Sequence, residues 1–200
     1  NIYKKIGQYP DFLHVDIIDK TMRENAEDVK TYRLETMKAY WPNTQIQTHI
    51  MSNNPEQWLT QILPYSDVVY IHAECQSDIE SLIEKIQLSG KKVGIAMTMA
   101  TQPNDIKELL KKASYVLLLT IPKPGSSGQK FDLDSLEKIK QINKLSFRNQ
   151  FVLCIDGGVN ENIVNMLEAE NIVSGSSVLK STNPKRQIMR LQTLGRYETA

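Results

Sequence analysis

The chain lacks the features that mark a polyanion binder, a secreted scaffold or a membrane protein. Its 24 lysines and arginines are balanced by 23 aspartates and glutamates, for a net charge of +1, and the basic residues are scattered rather than clustered. Such a surface has no electrostatic footprint for nucleic acid, although one small phosphate group stays within its means. No apolar run approaches the length that crosses a bilayer, and the opening NIYKKIGQYP lacks the hydrophobic segment of a signal peptide. The expected setting is therefore cytoplasmic, with no membrane and no nucleic acid as partner. Cysteine is scarce: Cys75 and Cys154 form neither a C-x-x-C pair nor a zinc-ribbon spacing, and both read as free thiols. There is no low-complexity tract and no Ser/Gly linker, and 200 residues suit one α/β domain with its strands in a single sheet.

What is present is a repeating pattern of short β-branched runs bounded by turn residues, beginning near Phe12, Thr44, Val68, Lys92, Tyr115, Phe151 and Asn171. Segments of helical periodicity lie between them, the βαβα order of a parallel sheet. Asn54 followed by Pro55 predicts a helix start, and Ser77-x-x-Glu80 predicts a capping box, with Gly90 as the stop. Further helices are expected over 2–8, 105–112, 134–143, 160–170 and 184–194, the fourth of these with Ile163, Met166 and Leu167 on its apolar face. The runs VGIAM, VVYI, YVLLL and FVLCI are apolar almost throughout, as expected where both faces of a sheet are covered. A closed (β/α)8 TIM barrel places every strand in that position, and an open doubly wound sheet is the alternative. Seven strands are one too few for the barrel. The expectation is a single barrel domain over 1–200 whose first strand is truncated, disordered or supplied from elsewhere.

The polar residues at the strand ends suggest chemistry. In FLHVDIID, His14 and Asp16 are two apart and share one face of a strand. A satisfied core pair is one reading, and a pair held by a cation is the other. TQIQTHIM brings His49, and FVLCID ends in Asp156, so two imidazoles and two carboxylates converge on one barrel mouth. That set suits a divalent ion such as zinc, iron, manganese or cobalt. His72 in VVYIHAE has only Glu74 as an obvious companion, which favours a structural or supporting role. Glycine and serine then recur after three late strands: Pro124-Gly125-Ser126-Ser127-Gly128, Asp156-Gly157-Gly158 and Ser174-Gly175-Ser176-Ser177. Such loops either present backbone N–H groups to a phosphate or are ordinary βα turns.

With these residues in place, the chain resembles the ribulose-phosphate 3-epimerase family. The matching stretches are LHVDIID, THIMSNNPEQW, HAE, GKKVGIAM, LLLTIPKPGSSGQKFD, IDGGVNENI and IVSGSSVLKS, in the family's order. The D-x-K-x-x-D pattern of the related decarboxylase and synthase barrels is absent. The resemblance implies that His14, Asp16, His49 and Asp156 are metal ligands and that Asp16 and Asp156 are the two acid/base carboxylates. It further implies that Gly125, Ser126, Ser127, Gly128, Gly157, Gly158, Gly175 and Ser176 bind phosphate, and that Met51, with His49, borders the substrate. The implied reaction is epimerisation of a ketose phosphate at carbon 3, D-ribulose 5-phosphate to D-xylulose 5-phosphate, through an enediolate. Association into homo-oligomers is common in this group.

The departures fall around the substrate. Lys20-Thr21-Met22-Arg23-Glu24-Asn25 stands where HFVPN is usual, Ile18 replaces a methionine and Ser127 a glycine, and 97–101 reads MTMAT. Lys20 and Arg23 are expected either to face a different ketose phosphate or to lie on a solvated face. Two other readings stay open: an epimerase for another sugar phosphate such as allulose 6-phosphate, and a barrel without turnover that serves as a binding or assembly module.

Overall fold

The computed structural model describes residues 1–126 and 128–196, the side chain of Arg196 apart. Seven strands form one sheet: β1 (Phe12–Ile18), β2 (Gln45–Met51), β3 (Val68–His72), β4 (Lys92–Met97), β5 (Tyr115–Leu119), β6 (Val152–Asp156) and β7 (Asn171–Val173). They pair in sequence order, and every neighbouring pair is parallel. The helices are α1 (Ile2–Ile6), α2 (Tyr32–Tyr40), α3 (Glu56–Ile62), α4 (Ile79–Leu88), α5 (Lys107–Leu110), α6 (Ser135–Asn143), α7 (Glu161–Val164), α8 (Ser176–Leu179) and α9 (Pro184–Arg196).

The sheet curls into a nearly closed barrel, as expected from the pattern. His14 on β1 and Asp156 on β6 lie 4.0 Å apart, although four strands separate theirs in the sheet. A flat sheet with strands about 4.8 Å apart would hold them more than 20 Å from each other. β1 and β7 are its two edges, and both line a cavity of about 510 Å³ that the α9 residues Ile188 and Leu191 also border. The eighth strand that the barrel calls for is not among the described residues.

Strand alternation divides the core. Val68, Tyr70, Ala96, Tyr115, Leu117, Leu119 and Cys154 form an inner cluster, while Val69, Ile71, Val93, Ile95, Val116, Leu118, Leu153 and Ile155 pack outward on the helices. Each such buried aliphatic side chain contributes about 1.5–3 kcal/mol. Tyr70 crosses the interior beneath the barrel mouth, and a Cβ on Gly94 would lie 2.1 Å from its ring. The missing side chain at 94 is what leaves space for that ring.

Local details differ from the sequence expectations. α4 is capped by Asp78, whose carboxylate accepts from the N–H groups of Glu80 and Ser81; the Ser77 hydroxyl turns instead to the carbonyl of Asn53. Pro55, not Asn54, is the residue before α3. The helix expected over 160–170 is only Glu161–Val164. Its period is broken early, so Met166 is 48% exposed and not on an apolar face. α2 carries no predicted signal because its nine residues YRLETMKAY bury only Leu34.

Candidate functional site

Period two places His14 and Asp16 on the inner face of β1, and the β1–β2 register sets Asp16 beside His49. His14 Nε2 is 3.4 Å from Asp16 Oδ1, and His49 Nδ1 is 3.1 Å from the same oxygen. Asp156 arrives from the end of β6. One ligand-type atom from each of His14, Asp16, His49 and Asp156 lies within 4.8 Å of the others. Both ring nitrogens of His14 are buried, and neither has a hydrogen-bond partner among the described residues. An orphaned imidazole is costly in a core, and nitrogen and oxygen donors converging on one point are what a divalent transition ion takes up. The four residues therefore fit a metal.

The electrostatics of the four are unequal. Enclosure in the barrel mouth disfavours ionising Asp16, yet the imidazoles of His14 and His49 outweigh it and hold the carboxyl well below the usual carboxylate range. Enclosure pushes Asp156 up to about 6, opposed by His14 and reinforced by the charge of Asp16. His49 is pushed down to about 4, first by burial. Burial works the same way on His14, but the neighbouring carboxylates of Asp16 and Asp156 leave it above its ordinary value.

Next to this cluster lies a cavity of about 160 Å³. Asp16 and Asp156 line it, and so do Met51, Gly125, Ser126, Gly128, Gly157, Gly158, Gly175 and Ser176; Ser127 lies outside the described residues. The sequence-predicted carboxylates and glycine loops thus border one hollow, with no lysine or arginine among its described lining residues. Gly158 shows why the loops are glycine-rich. Its φ is +70° and a Cβ there would lie 2.2 Å from the Phe131 nitrogen, so only glycine lets the strand-end turn fold against that backbone. The larger cavity between β1 and β7 touches His14 but neither carboxylate.

Other residues hold the mouth together. Asp19 is buried and accepts from the Thr21 N–H and hydroxyl, the Ser52 hydroxyl, Gln57 Nε2 and Trp58 Nε1, which pins the loop after β1 to the loop after β2. Arg23 reaches the carbonyl of Gly125, while Lys20 pairs with Asp28 at 3.0 Å in the open. Sequence reading gave Asp19 no role, because Ser52, Gln57 and Trp58 are 33 or more positions away in sequence. His72 was legible only as one of a pair two apart with Glu74, and its contact with His49 was not.

The relatives agree with this architecture. A family model described as the ribulose-phosphate 3 epimerase family matches residues 3–179. A ribulose-phosphate 3-epimerase of Helicobacter pylori (strain J99) is 31% identical over 92% of this chain and 86% of the relative, and one of Aquifex aeolicus is 28% identical over 92% and 84%. Among solved structures, 3-hexulose-6-phosphate synthase from Salmonella typhimurium superposes with a TM-score of 0.72 at 16% identity, covering 96% of this chain and 90% of that one. KGPDC from Streptococcus mutans does so with 0.73 at 10% identity, covering 97% and 89%; at these identities the likeness is one of fold. The chain belongs to the ribulose-phosphate 3-epimerase family of isomerases.

Proposed function

We propose that this chain epimerises a ketose phosphate at carbon 3, converting D-ribulose 5-phosphate to D-xylulose 5-phosphate, in a metal-dependent reaction run by Asp16 and Asp156. One observation carries the reading: the two carboxylates Asp16 and Asp156 line one cavity together with the glycine loops after β5, β6 and β7, in a chain of this family.

Inverting a carbon beside a ketone needs one group to take its proton and another, on the opposite face, to return one. In the direction in which Asp16 accepts the proton, Asp156 supplies the replacement; the reverse direction exchanges the roles. His14, Asp16, His49 and Asp156 would hold a divalent ion, whether zinc, iron, manganese or cobalt, which when bound would supply Lewis-acid polarisation of the ketone and offset developing negative charge. Backbone N–H groups around Gly125, Gly157, Gly158 and Gly175, with the hydroxyls of Ser126, Ser127 and Ser176, take the phosphate without a cationic side chain, and Met51 gives the apolar wall. Homo-oligomers and a cytoplasmic setting belong to the same reading.

The test is incubation with D-ribulose 5-phosphate in deuterated water after loading with each metal in turn. Deuterium at carbon 3 and formation of D-xylulose 5-phosphate are expected from wild type, and Asp156→Asn should lower the rate of epimerisation by about 10²–10⁴. An Asp156→Asn variant that epimerises at the wild-type rate would refute the assignment. Parallel assays with longer ketose phosphates establish which sugar is preferred.

A further inference from the structure

Behind His49, away from Asp16, sits a second buried imidazole. His49 Nε2 is 2.9 Å from His72 Nε2, and His72 Nδ1 is 2.9 Å from Glu74 Oε2. Since His49 Nδ1 faces Asp16 Oδ1 at 3.1 Å, four residues stand in one line: carboxylate, imidazole, imidazole, carboxylate. Both rings are wholly buried and stack with centroids 5.0 Å apart.

A neutral imidazole carries one N–H and one bare nitrogen. Two neutral rings supply two protons, and the line has three contacts. One contact must therefore go without a proton.

Glu74 decides which one. Its Oε1 accepts from the Thr98 N–H and hydroxyl, each at 2.9 Å, and from the Thr101 hydroxyl, which fixes the carboxylate in place and leaves Oε2 to His72. An ionised carboxylate only accepts. His72 Nδ1 then carries the hydrogen, His72 Nε2 is bare, and His49 Nε2 must donate to it. The bare nitrogen of His49 is accordingly Nδ1, on the side of His14, Asp16 and Asp156. Two lone pairs face each other between His49 Nδ1 and Asp16 Oδ1, an arrangement that a cation relieves.

We propose that His72 and Glu74 are a positioning pair that sets the ring tautomer of His49, so that its Nδ1 is presented bare to the ligand cluster. The inference rests on the metal-dependent reading above and extends it to two residues that touch neither the cavity nor the four-ligand cluster's centre. Glu74→Gln tests it through charge and direction rather than size. The side-chain amide of that variant can donate to His72 Nδ1, which reverses the line and puts a hydrogen on His49 Nδ1, where the ion would be.

The experiment is zinc affinity, by competition with a chromophoric chelator, for the wild-type chain and Glu74→Gln, together with long-range ¹H–¹⁵N spectra of the zinc-loaded wild type labelled at histidine. His49→Gln assigns the ring signals. The expected results are about 10- to 100-fold weaker zinc binding in Glu74→Gln and a His49 ring protonated at Nε2 with zinc on Nδ1. A hydrogen on His49 Nδ1 in the zinc-loaded wild type would overturn the proposal even if Glu74→Gln fails to fold. Zinc affinity in a folded Glu74→Gln within about threefold of wild type, below the loss typical of such partners, would do the same while leaving the metal site standing. Absence of zinc binding by wild type would overturn both.

Discussion

Arg23 Nη1 donates a 2.6 Å hydrogen bond to the carbonyl oxygen of Gly125, joining residues 102 positions apart in sequence. The bond clasps the loop after β1 to the glycine loop after β5, and Gly125 lines the cavity with the two carboxylates. Arg23→Ala should free that loop, raise KM for the sugar phosphate more than it lowers kcat, and cost about 1.5–3 kcal/mol of stability, as for a hydrogen bond to a charged group. Steady-state kinetics and urea unfolding check both. Lys20→Ala should change neither by much, since its pair with Asp28 is exposed and such pairs are worth about 0–1 kcal/mol.

Gly158→Ala should be far more damaging than its single methyl suggests. The added Cβ would meet the Phe131 backbone nitrogen at 2.2 Å on a residue whose φ is +70°. Strain of this type costs about 1–3 kcal/mol before the clash is counted, so the thermal midpoint should fall by about 5 °C or more. An unchanged midpoint would mean that the turn refolds without cost.

Asp19 makes stability depend on pH. Burial opposes its ionisation, but hydrogen bonds from Ser52, Thr21 and Trp58 outweigh this and hold the carboxyl below its ordinary value. A carboxylate depressed in the folded state stabilises fully above its unfolded value, about 3.9, and that contribution drains away as pH falls through the folded value. Urea unfolding from pH 6 to pH 3 should show this loss in wild type and a shallower one in Asp19→Asn, which lacks the titrating group. Equal slopes for the two proteins would exclude Asp19 as the source.

Metal should stabilise the fold as well as the reaction. The unpartnered nitrogens of His14 and the opposed carboxylates around it are groups that only the folded chain assembles. At an ion concentration 100 times the dissociation constant, linkage adds about 2.7 kcal/mol, or about 5–10 °C for a chain of this length. Scanning calorimetry before and after chelation measures the shift, and His14→Ala should abolish it.

Tyr70→Phe removes a buried hydroxyl from the barrel interior. The Tyr70 hydroxyl donates to Gln47 Oε1 at 3.0 Å inside the barrel, and removing it leaves that oxygen unsatisfied at about 1–3 kcal/mol. Urea unfolding should register the loss.

Local pattern alone determined much of this protein. Strand runs and turn residues located all seven strands: β3 to β6 are apolar almost throughout, as parallel strands buried on both faces are, and the others are short β-branched runs bounded by turn residues. Period two put His14 and Asp16 on one face without any knowledge of the sheet. The glycine loops after β5 and β6 were legible because a backbone at positive φ, as at Gly125, Gly128, Gly157 and Gly158, restricts what can occupy it. Helix limits were less so: Asp78 rather than Ser77 caps α4, a choice between adjacent residues that both carry a suitable oxygen. Tertiary structure decided the rest. His14 meets Asp156 only because the sheet curls, and His49 meets His72 only through the side-chain packing of β2 against β3. Asp19 finds Ser52 on the loop after β2 and Trp58 on α3. Periodicity is a property of a few neighbouring residues, whereas closure of a sheet arises from all its strands packing at once, and no short segment carries the record of it.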